Sequence, residues 1–112
     1  MADYYNFPDH RKGDTFSGTT FQVNVDGTPL NITGATIKMM MKHKKKNVKK
    51  LLTSYSGITI SNPSSGEFKI DRQIIDTDPG EYVYDIEIEL ADGTVKTYIK
   101  GSWTIKQDIT YA

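Results

Sequence analysis

Two histidines, a run of lysines and two sets of carboxylates are the residues of this chain with chemistry to offer. A general base has to be positioned and oriented. His10 lies in a polar N-terminal stretch and His43 inside the lysine run, neither with an obvious carboxylate to orient it. Ser64 and Ser65 sit in the turn-forming cluster Asn62-Pro63-Ser64-Ser65-Gly66 and not in a nucleophile-elbow pattern. Asp85, Glu87 and Glu89 alternate along the chain, so on a strand they share one face and imitate the carboxylate pair of a glycosidase. Lysines expected across a hairpin from them make ion pairing the plainer use. Asp76, Asp78 and Glu81 could gather calcium but lack the loop spacing of an EF-hand, and turn chemistry accounts for them. The chain has no cysteine, which excludes disulfides, thiolate metal sites and cysteine nucleophiles. The sequence therefore assigns no catalytic residue, no metal site and no cofactor.

The run from Lys42 to Lys50 holds six lysines in nine residues: Lys42, Lys44, Lys45, Lys46, Lys49 and Lys50. Such a patch suits phosphates or an acidic protein face. It equally suits a solvated loop, because like charges repel and extend a segment. No aromatic residue interleaves the lysines and no arginine supplies a bidentate fork, so specific nucleic-acid readout is disfavoured and an acidic protein face is the better functional reading. Tyr4, Tyr5 and Phe7, in Tyr4-Tyr5-Asn6-Phe7-Pro8, precede the first strand signal. They either fold back over an open end of the domain or dock on a neighbouring subunit. Ile109 and Tyr111 pose the same pair of readings.

The elements that would carry these residues are strands. The 112 residues suit one domain with one core, and frequent aromatics, Val, Ile and Thr favour pleated, half-buried surfaces. Fourteen basic residues balance fourteen acidic ones, so any charge argument is local. The first fourteen residues lack the apolar core of a signal peptide, and no stretch approaches the ~20 apolar residues of a membrane span. The expectation is a chain made in a cytosol, with no membrane partner.

Alternating runs around Asp92-Gly93 predict a two-residue type I′ hairpin across 81–106. Its register pairs Leu90 with Val95, Ile88 with Thr97, Ile86 with Ile99, Tyr84 with Gly101 and Tyr82 with Trp103 on the core face. Glu89 then faces Lys96, and Asp85 faces Lys100. A cross-strand ring from Tyr84 would cover the gap left by Gly101. A second hairpin at Asp26-Gly27 would set Val23 opposite Leu30 and Phe21 opposite Ile32. Ile37, Met39 and Met41 form one face of the next strand, and Ile58 to Ile60 pairs with Phe68 to Ile70. Asp71 is expected to cap a short helical turn carrying Ile74 and Ile75. About seven short strands with turns every ten residues or so predict an all-β, antiparallel Greek-key sandwich over 13–110, preceded by an N-terminal arm over 1–12.

Three segments carry a resemblance. Arg11-Lys12-Gly13-Asp14-Thr15-Phe16, then Asp26-Gly27-Thr28-Pro29-Leu30-Asn31-Ile32-Thr33-Gly34-Ala35-Thr36-Ile37, then Pro79-Gly80-Glu81-Tyr82-Val83-Tyr84-Asp85-Ile86-Glu87 resemble, in order and spacing, the N-terminal domain of phage baseplate upper proteins. The likeness spans Gly13 to about Thr110. It implies a virion component of a tailed phage or prophage, an all-β immunoglobulin-like sandwich made in the bacterial cytoplasm, that joins other virion proteins or copies of itself. Baseplate, tail-adaptor and head-decorating roles all fit that implication. A carbohydrate-binding module, with Trp103 or Tyr98 as a sugar platform, is the competing expectation.

Overall fold

The computed structural model describes residues 3–47, 49–54 and 56–107, and these are all-β apart from one 3-10 turn at Pro63–Ser65. Ile109, Tyr111 and the proposed boundary at Thr110 lie outside the described residues. The first six strands are short: β1 (Asp3–Tyr4), β2 (His10–Arg11), β3 (Thr15–Phe16), β4 (Thr19–Gln22), β5 (Asn24–Val25) and β6 (Thr28–Pro29). β7 (Thr36–His43), β8 (Lys49–Thr53), β9 (Ile58–Asn62), β10 (Glu67–Ile70) and β11 (Gln73–Ile74) follow. The chain then runs through the two longest, β12 (Gly80–Glu89) and β13 (Val95–Lys106).

The large sheet has the order β1-β13-β12-β7-β8, with β2 also on the outer edge of β13. β1 and β2 run parallel to β13, whereas the other strand pairs are antiparallel. A second layer is built from β4-β10-β9 and the small ribbons β3–β11 and β5–β6. Period-two alternation explains which side chains meet. Ile37, Met39 and Met41 of β7, Tyr82, Tyr84, Ile86 and Ile88 of β12, and Ile99, Trp103 and Ile105 of β13 are buried on one face of the large sheet. They share one core with Phe16, Ile58, Phe68 and Ile70 from the opposing strands. The result is a sandwich-like pair of layers.

The Asp92-Gly93 hairpin forms, but with a different loop. The Leu90 amide donates to the Thr94 carbonyl and the Gly93 amide to the Leu90 carbonyl (2.8 and 2.9 Å), which makes residues 91–93 a three-residue loop. Gly93 alone takes positive φ, at 91°, as a type I turn closed by a left-handed residue requires. The pairing near the loop is therefore one residue off the expected register, with Glu89 opposite Val95 and Ile88 opposite Lys96. A bulge between Ile86 and Glu87 restores the expected register, and Ile86–Ile99, Tyr84–Gly101 and Tyr82–Trp103 pair as expected. Between loop and bulge the faces of β13 alone are inverted, so Val95 is exposed while Ile88 of β12 stays buried. Glu89 does not face Lys96.

The type I′ turn occurs at the second hairpin instead, where Asp26 and Gly27 both have positive φ (52° and 79°). The Leu30 amide reaches the Val23 carbonyl (2.9 Å), but Phe21 lies opposite Phe68 and not Ile32. Between β10 and β12 no helical turn forms. β11 pairs with β3, the Ile75 amide donates to the Asp14 carbonyl (2.8 Å), and the Asp71 carboxylate accepts from the Thr59 hydroxyl (2.7 Å). A strand bond was available, and it outcompeted a helix nucleus that fixes three residues for one hydrogen bond.

Candidate functional site

The lysine run folds as the tip of the β7–β8 hairpin. Its first half is pinned. The Lys44 amide donates to the Glu81 carbonyl (3.0 Å), and the Lys45 and Lys46 amides both donate to Nδ1 of His43 (3.0 Å each). His43 is buried, with its ring edge-on to Tyr82 at 5.1 Å between centroids. A ring nitrogen that accepts two amide protons acts as the turn's cap. His43 was read from the sequence as part of a polar run. Its burial follows from the parity of Ile37, Met39 and Met41, carried one step further along β7.

The lysines of the tip divide into two groups. Lys50 pairs with Asp76 at 2.7 Å, and the hydrogen bond and charge of Lys50 hold the Asp76 carboxyl below its ordinary range. Lys42, Lys44, Lys45, Lys46 and Lys49 are exposed and make no ion pair with a described residue. Lys42 and Lys49 stand directly opposite one another, an arrangement of like charges that costs stability. The hairpin tip thus carries five lysines without an acidic partner among the described residues, three of them on a pinned backbone.

The aromatic arm separates into individual roles. The Tyr5 amide donates to the Lys100 carbonyl, the Phe7 amide to Ser102 and the Lys12 amide to Lys106 (2.9, 3.0 and 2.9 Å), so the arm lies along β13 as an added parallel strand. Tyr4 pairs with Lys100 but His10 with Ile105, leaving one extra arm residue between them. Asn6 covers the irregularity by accepting the Ser102 amide on its side-chain oxygen (3.1 Å). Phe7 is buried and stacks on Trp103 with centroids 4.2 Å apart. The Trp103 indole nitrogen and the Pro8 carbonyl oxygen both lie within hydrogen-bond distance of Nδ1 of His10 (2.9 and 2.7 Å), which accepts from the first or donates to the second according to its tautomer.

Gly101 makes room for this docking. A Cβ there would lie 1.9 Å from the Tyr5 carbonyl oxygen, and that oxygen accepts the Tyr84 hydroxyl. The mid-strand glycine therefore admits a backbone; a covering ring is not its function. Of the three aromatics expected to meet a partner, Phe7 is committed to the chain's own core. Tyr4 is 74% exposed, under the Lys100 ammonium at 5.3 Å from its ring. Asp85, opposite Lys100, makes no ion pair with it.

Tyr5 packs edge-on against Phe7 and Phe21 and forms one wall of a hollow of about 330 Å³ that the sequence did not reveal. Phe21, Val23, Val25, Tyr98 and Ile99 complete its apolar lining, and Asp3, Asp26 and Lys96 bring charge to it. The Lys96 ammonium lies 5.8 Å from the centre of the Tyr98 ring. No protein-family model matches the chain, and no curated protein matches it.

Among the described residues no three His, Asp or Glu side chains gather to hold a metal ion. Both imidazoles take part in structural hydrogen bonds: Nδ1 of His10 with Trp103 or Pro8, and Nδ1 of His43 with the lysine turn. No described helix is long and apolar enough to cross a membrane. The described residues thus place a cluster of lysines on a pinned turn at one end of β7, and an aromatic hollow with carboxylates at the level of the other.

Proposed function

We propose that this chain is a non-enzymatic structural protein of a tailed phage or prophage virion, and that it makes its protein contacts through the basic turn. The observation that carries this reading is the pinned tip, where a buried histidine and a core-strand carbonyl fix the backbone of lysines that have no acidic partner among the described residues. A preordered turn loses less freedom on binding than a loose loop. The like-charged Lys42–Lys49 pair costs the free chain stability that an acidic partner would return. The sequence likeness to baseplate proteins supplies the virion setting, and an immunoglobulin-like module suits it.

The test is reconstitution with candidate capsid and tail proteins at low and high salt, using native protein and a Lys44→Glu, Lys45→Glu, Lys46→Glu variant. Native incorporation is expected to fall with salt, because exposed charges are screened over about 8 Å at physiological ionic strength. The variant is expected to keep its fold and lose incorporation. Equal incorporation at every salt concentration would return the turn to a solvated loop.

The carbohydrate-binding alternative now rests on the hollow, where Tyr98 is joined by Tyr5. Trp103 offers no platform, being buried beneath Phe7. A glycan array with hits lost on Tyr98→Ala would promote that reading.

A further inference from the structure

The basic turn and the charged hollow lie at the levels of opposite ends of β7. β7 finishes at His43 beside Tyr82 and begins at Thr36 beside Glu89. Lys96, in the hollow, pairs with Ile88, which pairs with Ile37. Six strand residues therefore separate the hollow's level from His43, about 20 Å at the usual rise per residue, in a molecule 49 Å long. Neutrality of the whole chain conceals this separation.

We infer that copies of this chain associate head to tail, with the turn of Lys44, Lys45 and Lys46 from one copy seated at the hollow of the next. The hollow has the chemistry for ammonium groups. Two carboxylates, Asp3 and Asp26, outnumber the single Lys96, and Tyr5, Phe21 and Tyr98 present aromatic rings. Rings with adjacent carboxylates bind amines through the ring quadrupole and charge together. The molecule already uses this pairing nearby, since Lys96 and Lys100 place their ammonium groups over Tyr98 and Tyr4. An incoming lysine takes the place of Lys96 over its ring. Because donor and acceptor surfaces are different patches, the contact repeats from copy to copy and closes into a ring or extends as a filament.

The inference rests on the reading of the basic turn as a contact surface, and names its acidic partner. It is tested on the full chain by sedimentation velocity across protein concentration, at low and high salt. Native protein is expected to sediment faster as concentration rises at low salt and to lose that dependence at high salt. Two variants separate the surfaces. One carries Lys44→Glu, Lys45→Glu and Lys46→Glu; the other carries Asp3→Lys and Asn24→Lys, which leave the strained Asp26 turn untouched. Each alone is expected to stay monomeric while retaining its circular dichroism, and an equimolar mixture is expected to regain association because each supplies the surface the other needs. Native protein that stays monomeric at every concentration would overturn the inference, as would variants that associate no better mixed than alone. If the turn variant still loses incorporation with virion proteins in that case, the turn remains a contact surface and only its partner changes.

Discussion

A methyl group on Gly101 would occupy the space of the Tyr5 carbonyl, and both neighbours in that contact are backbone, which cannot rotate away as a side chain can. Gly101→Ala is expected to lift the arm from β13. Amide exchange at Tyr5 and Phe7 should accelerate to the rate of free chain, and Trp103 fluorescence should shift as Phe7 leaves its ring. An exchange pattern unchanged at both amides would refute the docking. Tyr84 offers a milder probe of the same contact, since Tyr84→Phe removes one hydrogen bond at an expected cost of about 1 kcal/mol. Burial, and then the neighbouring Tyr5, push the Tyr84 hydroxyl well above the ordinary tyrosine range. A hydroxyl that ionises more readily in the unfolded chain stabilises the fold fully below pH ~10 and loses that contribution as pH rises further. Denaturation midpoints between pH 8 and 12 should therefore fall less steeply for Tyr84→Phe than for the native chain, although Tyr82, shifted the same way, keeps part of the slope. Trp103→Ala should cost ~3 to 5 kcal/mol, as large-to-small aromatic changes in a core do, and an unchanged midpoint would contradict its burial.

The strands themselves show what a sequence reveals and what it hides. Alternation placed Tyr82, Ile86, Ile99, Trp103 and Ile105 in the core correctly, because side-chain parity is a local property of an extended chain. Loop length was less legible. Asp-Gly suits both a two-residue type I′ loop and a three-residue loop closed by glycine, and the choice turned on Ala91, which carries no turn signal. The resulting shift is cancelled by the bulge beside Ile86, a feature for which the residues give no local warning. Gly93→Val should cost ~1 to 3 kcal/mol, since a β-branched residue is strained at positive φ; chemical denaturation measures it. The basic turn gives a second test at this scale. His43→Ala deletes the acceptor of two amides, so exchange at Lys45 and Lys46 should quicken while the amide of Ile37 keeps its protection. Uniform change across β7 would show that His43 is a core residue with no particular hold on the turn.

Across the whole molecule, what stayed hidden in the sequence is which strands become neighbours. Phe21 faces Phe68 rather than Ile32, and the arm pairs with β13 across more than ninety residues of sequence. Such choices are decided by packing in three dimensions, on which parity is silent. For the same reason the hollow could not be foreseen: its lining comes from the arm, from β4 and β5 and from β13, three segments that only the finished fold brings together. The arm's pairing also has a consequence in time. During synthesis residues 3–11 leave the ribosome first, yet their partner, residues 95–106, comes nearly a hundred residues later. At 5 to 20 residues per second that is a wait of roughly 5 to 20 s, during which Phe7 has no Trp103 to stack on. The arm then closes a loop of more than ninety residues, and contacts of such sequence separation form late and slowly. Until then the edge of β13 and its apolar face are open to the matching segment of any other newly made copy.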